Sequence, residues 1–175
     1  MSCLLVCVQV GSTCCQTIPI RSEYRRDKHC SGGNLIRIDT DQCKVSSGVR
    51  RQCKAKCNGS STKDPNARFS FVKIRGRKCI QFTDDRDGTN YALKVINGTN
   101  VAFEVQRCDN TTEDSFLFKE ERVSKLYQYK HTDINRTLKL GVPKNCDENL
   151  SLISTTKIDR RCLFRKLRRR TSKNG

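Results

Sequence analysis

The sequence contains no tryptophan, four tyrosines and two histidines in 175 residues. This scarcity of aromatic side chains argues against the base-stacking surface of proteins that bind single-stranded nucleic acid, and no helix-turn-helix, zinc-finger or RNA-binding signature occurs. Phosphate loops, Rossmann glycine patterns and nucleophile elbows are missing too, so the chain offers little for catalysis. We therefore expect a binding protein that is not an enzyme, uses no cofactor and does not bind nucleic acid.

Long hydrophobic runs are also missing. The apolar stretch at residues 4–10 is too short to cross a membrane, so we expect no membrane insertion. Residues 1–13 are uncharged and end in small side chains, which predicts a signal peptide and a secreted, extracellular protein. We predict one domain at residues 21–167, followed by a basic C-terminal tail at residues 168–175.

Twelve cysteines are far more than an ordinary cytosolic protein carries. They form either disulfides or a metal site, for which Cys53 and Cys57, with His29, Cys30 and Cys43 upstream, could supply ligands. Structural zinc sites usually show two close cysteine pairs, and here only one pair is close. We therefore expect disulfides and no metal, although the spacing does not determine which cysteines pair.

Five Asn-x-Ser/Thr sequons occur, more than this composition gives by chance. We expect all five to lie in turns and to be N-glycosylation sites of a secreted protein. They are Asn58, Asn97, Asn110, Asn135 and Asn149.

A short pattern recurs three times, about every 47 residues. Its second aromatic falls at Phe71, Phe118 and Phe164. Short stretches between the copies are apolar at alternate positions and end in turn residues, which is typical of strands; we align Leu93 with Leu138. Three copies are too few for an open solenoid, whose strand edges would stay unpaired. The sequence therefore predicts an all-β fold, a β-trefoil with three four-stranded lobes and pseudo-three-fold symmetry.

The net charge is +17, from 35 basic and 18 acidic residues. Between Lys157 and Lys173, Asp159 is the only acid among many Arg and Lys residues. Such clusters attract polyanions, and Arg presents a planar fork that fits sulfate oxygens. For a secreted protein this favours sulfated glycosaminoglycans; a solvated tail or a processing site at residues 165–170 is the other interpretation.

Several segments resemble the fibroblast growth factor family. Phe118-x-Glu120, followed by Tyr127, matches the spacing of the family signature, although the signature Cys is replaced by Phe116. Residues 30–39 look like the family's opening hairpin, and residues 71–76 resemble the strand that begins its second lobe. The resemblance implies a β-trefoil growth factor that binds a receptor tyrosine kinase with heparan sulfate as co-receptor and stimulates growth and migration.

Carried over by position, the resemblance implies receptor contacts at Glu120, Tyr127, Gln128 and His29, although Tyr127 could equally belong to the core. The heparan sulfate site of the family matches a region that lacks the family's glycines here. Its candidate residues, with one from the adjoining basic segment, are Lys139, Lys144, Lys157, Arg160, Arg161 and Arg165.

An alternative function stays open. The chain could be a non-signalling β-trefoil protein, or a cysteine-rich basic extracellular protein that binds glycans without a receptor. A ricin-type lectin carries Gln-x-Trp in each lobe, and this sequence has no tryptophan.

Overall fold

A computed structural model describes residues 17–24, 33–45, 48, 50–133, 135–145 and 148–167. The predicted signal peptide, His29 and the basic tail at 168–175 lie outside these residues. The structure is all-β, as expected, and its described part holds twelve strands. They are β1 (Ile20–Ser22), β2 (Leu35–Lys44), β3 (Gln52–Gly59), β4 (Ser70–Ile74), β5 (Arg77–Thr83), β6 (Asn90–Asn97), β7 (Asn100–Val105), β8 (Lys119–Val123), β9 (Leu126–Asp133), β10 (Arg136–Gly141), β11 (Ser151–Ile153) and β12 (Phe164–Lys166).

Six of the strands form a closed ring. Strand β4 pairs with β5, β8 with β9, β9 with β12, and β12 with β1. The bridges Ile18–Phe69 and Lys78–Phe118 complete the ring between β1 and β4 and between β5 and β8. The other six strands form the hairpins β2–β3, β6–β7 and β10–β11, one in each run of four strands. This trefoil-like arrangement removes the free edges that the repeated strands would otherwise expose.

The core fixes how the three copies correspond. Phe69, Phe118 and Phe164 each lie two residues after a 3-10 turn, and each is fully buried. The aromatic of the first copy is therefore Phe69, and our alignment of Phe71 with Phe118 and Phe164 was wrong by two residues. Because side chains two apart share one face of a strand, Phe69-x-Phe71 and Phe116-x-Phe118 look alike in sequence, and only the preceding turn distinguishes them.

Our alignment of Leu93 with Leu138 was also wrong by two residues. Tyr91 pairs with Phe82, the sixth residue of β5, and Leu138 pairs with His131, the sixth residue of β9. Tyr91 therefore corresponds to Leu138. Both side chains are buried, so the apolar pattern alone does not reveal the shift.

Two disulfides confirm that cysteines cross-link the chain. Cys43–Cys53 joins directly opposed residues of β2 and β3, and Cys79–Cys108 joins β5 to the 3-10 turn Cys108–Asn110. Because Cys43 and Cys53 are bonded to each other, neither is available as a thiolate for the metal site considered from the sequence. No helix among the residues that the structure describes is long and apolar enough to cross a membrane.

Four of the sequon asparagines are exposed at strand ends, turns or loops: Asn97, Asn110, Asn135 and Asn149. Asn58 differs from our expectation, because it lies within β3 and its Oδ1 atom is buried. Strand β3 continues to Gly59, which pairs with Leu35, so this sequon falls in a strand and not in a turn.

Candidate functional site

A row of three lysines crosses the neighbouring strands β8, β9 and β10. Lys119 on β8 is directly opposite Lys130 on β9, and Lys130 is directly opposite Lys139 on β10. Neighbouring strands lie about 4.8 Å apart. The flanking residues Phe118 and Leu138 are buried, so alternation along the strands turns the lysines away from the core. Lys119 and Lys130 reach the surface, whereas Lys139 is buried against the loop before β12. Directly opposed like charges destabilise a sheet. Other opposed basic pairs occur, such as Lys73 and Lys78, but this row continues over three strands.

One carboxylate partly neutralises the row. Glu121 forms ion pairs with Lys130 at 2.6 Å and with Lys119 at 3.5 Å. The hydrogen bond from Lys130 lowers the pKa of Glu121 below its ordinary value, although partial burial opposes the shift. Lys119 stays two-thirds exposed, with 66% of its side chain accessible, so its charge is available to a ligand.

The third lysine connects the row to the loop before β12. Lys139 is buried and donates from Nζ to the backbone oxygen of Lys157 at 3.3 Å. The amide of Val142 donates to the oxygen of Arg161, which places the 3-10 turn Arg160–Cys162 beside the end of β10. Asp159 caps that turn by accepting from the Arg161 amide at 2.9 Å.

We call this surface the basic track. It consists of Lys119, Lys130, Lys139, Lys144, Lys157, Arg160 and Arg161. Its cations outnumber its carboxylates, Glu121 and Asp159, and the latter is paired with Arg161 at 2.6 Å. The hydrogen bond from Arg161 lowers the pKa of Asp159. Lys144, Lys157 and Arg160 are exposed, so the track can contact a long polyanion at several points.

Of the six residues predicted to bind heparan sulfate, Lys139 is hydrogen-bonded to the backbone of Lys157, and the turn with Arg160 and Arg161 lies beside the end of β10. Lys144 lies in the loop that follows β10. Arg165 lies on β12, where it is directly opposite Arg21 and donates to Glu23 at 2.9 Å. Sequence reasoning missed Lys119 and Lys130. The sequence does contain a pattern that indicates this pair. Ser124 and Lys125 form a two-residue hairpin turn, and counting residues outward from the turn places the two lysines opposite each other.

The predicted receptor contact Glu120 turns inward. It is directly opposite Tyr129, a fully buried core residue, and its carboxylate pairs with Lys166 at 2.5 Å. Lys166 Nζ also lies 4.2 Å from the ring centre of Phe71 and 4.6 Å from that of Tyr127. Phe71, Glu120 and Lys166 each follow the core phenylalanine of their copy by two residues, so equivalent positions of the three copies meet here.

Two further predicted receptor contacts within the described residues, Gln128 and Tyr127, have little free surface. Gln128 is 8% exposed and donates to Glu121 at 3.0 Å. Tyr127 is half-buried against Lys166, so the structure includes it in the packing around the ion pair. Burial, and then the nearby charge of Glu120, raise the pKa of Tyr129 well above its ordinary value.

Comparisons with known proteins support the fold. No family model and no curated protein matches the chain significantly. Among solved structures, a designed three-fold symmetric protein, ThreeFoil, is similar with a TM-score of 0.58 and 12% identity over 87% of this chain and 98% of its own. A Polyporus squamosus lectin, solved with the human-type influenza-binding epitope Neu5Aca2-6Galb1-4GlcNAc, has a TM-score of 0.51 and 9% identity over 86% of this chain.

The chain spans about half of that lectin, 48% of its length. At such low identities the two likenesses establish a trefoil-like fold and nothing about function. Function must therefore be argued from the surface residues.

Proposed function

We propose that this protein is a secreted, non-catalytic β-trefoil protein that binds sulfated glycans through the basic track. The carrying observation is the cross-strand row Lys119–Lys130–Lys139 continued by Lys157. Keeping like charges side by side costs stability in the free protein. A polyanion laid across the row relieves that repulsion by contacting several cations at once.

The disulfides support this choice of polyanion. Two disulfides are typical of proteins that mature in an oxidising environment. Sulfated glycosaminoglycans are the abundant polyanions outside cells, and their sulfates match the ammonium and guanidinium groups of the track. We infer binding as the whole activity, with no catalytic step.

Growth-factor signalling through a receptor tyrosine kinase stays a prediction of the family resemblance. Glu120 uses its carboxylate for the pair with Lys166, and its side chain is 17% exposed. A receptor complex would therefore need contacts beyond this carboxylate. Phosphorylation of a fibroblast growth factor receptor in cells, with and without heparin, tests that role independently of glycan affinity.

A charge-matched pair of variants tests the proposal. Lys130→Gln/Lys157→Gln removes two charges from the track, whereas Lys73→Gln/Lys78→Gln removes a directly opposed lysine pair from the β4–β5 hairpin. We expect the first double variant to weaken binding of a heparin oligosaccharide about tenfold, or ~1.4 kcal/mol. The control should change affinity less than about twofold.

Calorimetric titration at physiological salt provides the affinities, because screening at higher salt would hide the difference. Equal losses in the two double variants would show that binding depends on net charge alone. That result would overturn the basic track as a site.

A further inference from the structure

A separate cavity lies in the second lobe, between strands β3, β6 and β7 and the loop after β7. Its volume is about 320 Å³, within the range of small-molecule sites. Its wall includes Arg50, Gln52, Lys94, Ile96, Glu104 and Glu113. The charged side chains balance, two basic against two acidic, so the cavity differs in character from the basic track.

The polar groups of the cavity are held in fixed positions. Glu104 is buried and accepts from Gln52 Nε2 at 2.7 Å and from Lys94 Nζ at 3.0 Å. Lys94 also pairs with Glu113 at 3.2 Å. Burial alone would lower the pKa of Lys94, but the hydrogen bonds to both carboxylates outweigh it and raise the pKa. Lys94 is therefore charged at neutral pH, and the hydrogen bonds preorganise Gln52, Lys94 and Glu104 for a ligand.

In the third lobe, the positions equivalent to Lys94 and Glu104 are occupied by apolar residues. Lys94 corresponds to Gly141 and Glu104 corresponds to Ile153, because their strands pair in the same register. There Ile153 packs directly on Gly141, where any Cβ would clash. Apolar packing is thus compatible with this backbone. A buried ion pair is seldom more stable than such packing, so the polar lining of the second lobe calls for another explanation.

We propose that this cavity binds a neutral sugar residue. Carboxylate oxygens of Glu104 and Glu113 can accept from sugar hydroxyls, whereas Lys94 and Arg50 can donate to hydroxyl oxygens. Ile96, with 38% of its surface exposed, offers an apolar contact for the C–H face of the ring. The balanced charges favour neither an anion nor a cation. A neutral ligand rich in donors and acceptors fits this lining, and a zwitterion is the competing outcome that the test distinguishes.

NMR titration of the full chain with neutral methyl glycosides tests this proposal. The panel contains the glycosides of glucose, galactose, mannose and N-acetylglucosamine, with glycine and inorganic sulfate as the zwitterionic and anionic probes. We expect at least one glycoside to shift the amide signals of Gln52, Lys94 and Glu104, with a Kd on the order of 1 mM. The amide of Lys130 should not move.

Glu113→Ala should weaken that binding about tenfold, since it removes one acceptor from the rim. Asp109→Ala is the matched control, because Asp109 and Glu113 have the same exposure, 53%, and Asp109 lies outside the cavity. The amide spectra also show that both variants are folded. Absence of shifts with every glycoside, stronger shifts with glycine or sulfate, or equal effects of the two variants would each overturn the proposal.

Discussion

Three sets of neighbouring strands place different side chains at corresponding positions on the face that points away from the central core. Strands β8, β9 and β10 carry lysine at all three positions. Strands β12, β1 and β2 carry two arginines and a leucine there, and strands β4, β5 and β6 carry no charge at these positions. The rows are Lys119, Lys130 and Lys139; Arg165, Arg21 and Leu35; and Ser70, Gln81 and Ala92. The third residue of each row is buried, so the sets differ in accessible charge at their first two positions. The fold alone therefore does not determine function.

The inward positions vary in the same way. The core phenylalanine is retained in all three copies, but the residue two positions later is Phe71, Glu120 or Lys166. The last two neutralise each other at 2.5 Å, and Lys166 also contacts the ring of Phe71. The lobes are thus not independent, because one ion pair joins the second and third copies.

The largest expected effect comes from breaking that ion pair. Glu120→Ala would leave the ammonium of Lys166, 8% exposed, buried beside aromatic rings without its carboxylate. We expect a loss of about 4 kcal/mol in the free energy of unfolding, the usual cost of stranding a buried charge. Chemical denaturation measures it.

Glu121→Ala is the control, since Glu121 is one residue along β8 and lies on the outer face. It should cost less than about 1 kcal/mol, as exposed pairs do. If both variants lose equal stability, the inward and outward positions of β8 do not differ as the structure implies.

A smaller effect is expected where the second copy has a disulfide and the corresponding described position of the third copy has a glutamine. Cys79 on β5 is directly opposite Val72 on β4. The corresponding residue of the third copy is Gln128, which donates a hydrogen bond to Glu121. Replacing Cys79 and Cys108 by Ala should cost about 3 kcal/mol, because the bond closes a long loop. Gln128→Ala should cost about 1 kcal/mol. Unfolding curves that show equal losses would contradict this difference.

Much of the fold was predictable because local patterns determine it. Alternating apolar residues and turn residues indicated the strands, and the recurring aromatic indicated three copies. Another pattern indicates the register of the copies better. An acidic residue lies five residues before each core phenylalanine, at Asp64, Glu113 and Asp159, and it precedes the 3-10 turn that leads to that phenylalanine. Using it would have placed Phe69, and not Phe71, in register.

The candidate sites were less predictable because they depend on pairing between distant strands. The residues near the C-terminus that we predict to bind heparan sulfate came from charge density and the family resemblance, and neither pointed to Lys119 and Lys130. The cavity was invisible in sequence, since Gln52 and Glu104 are 52 residues apart and only the β3–β7 pairing joins them. The inward direction of Glu120 likewise depends on its partner Tyr129 being a core residue.

Grafting the lysine row onto the corresponding uncharged positions of β4 and β5 would sharpen the comparison. Ser70 and Gln81 are directly opposite each other and occupy the positions of Lys119 and Lys130. We expect Ser70→Lys/Gln81→Lys to raise heparin affinity only about threefold, because no counterpart of Lys157 lies at the corresponding position beside these strands. A gain of tenfold or more, measured by calorimetry, would show that any opposed lysine pair suffices.

The smallest expected effect concerns the carboxylate within the track. Glu121→Gln should raise heparin affinity about twofold at neutral pH, since it frees Lys119 and Lys130 from their partner. The pKa of Glu121 is lowered in the folded state, so its stabilising contribution is present above its ordinary pKa of 4.5. That contribution is lost as the pH falls through the folded value.

Unfolding experiments on the wild-type protein and Glu121→Gln across this range check the sign. The stability difference should be present at pH 7 and should vanish on acidification below the folded pKa. A difference that grows as the pH falls would contradict the assigned pairing with Lys130.

The most direct test of the basic track is lysine acetylation of the full chain with and without a heparin oligosaccharide, read by mass spectrometry. We predict that heparin slows modification of Lys119, Lys130 and Lys157 several-fold relative to the opposed lysines Lys73 and Lys78, which should react at unchanged rates. Uniform protection of all exposed lysines, or protection centred on Lys73 and Lys78, would contradict the account.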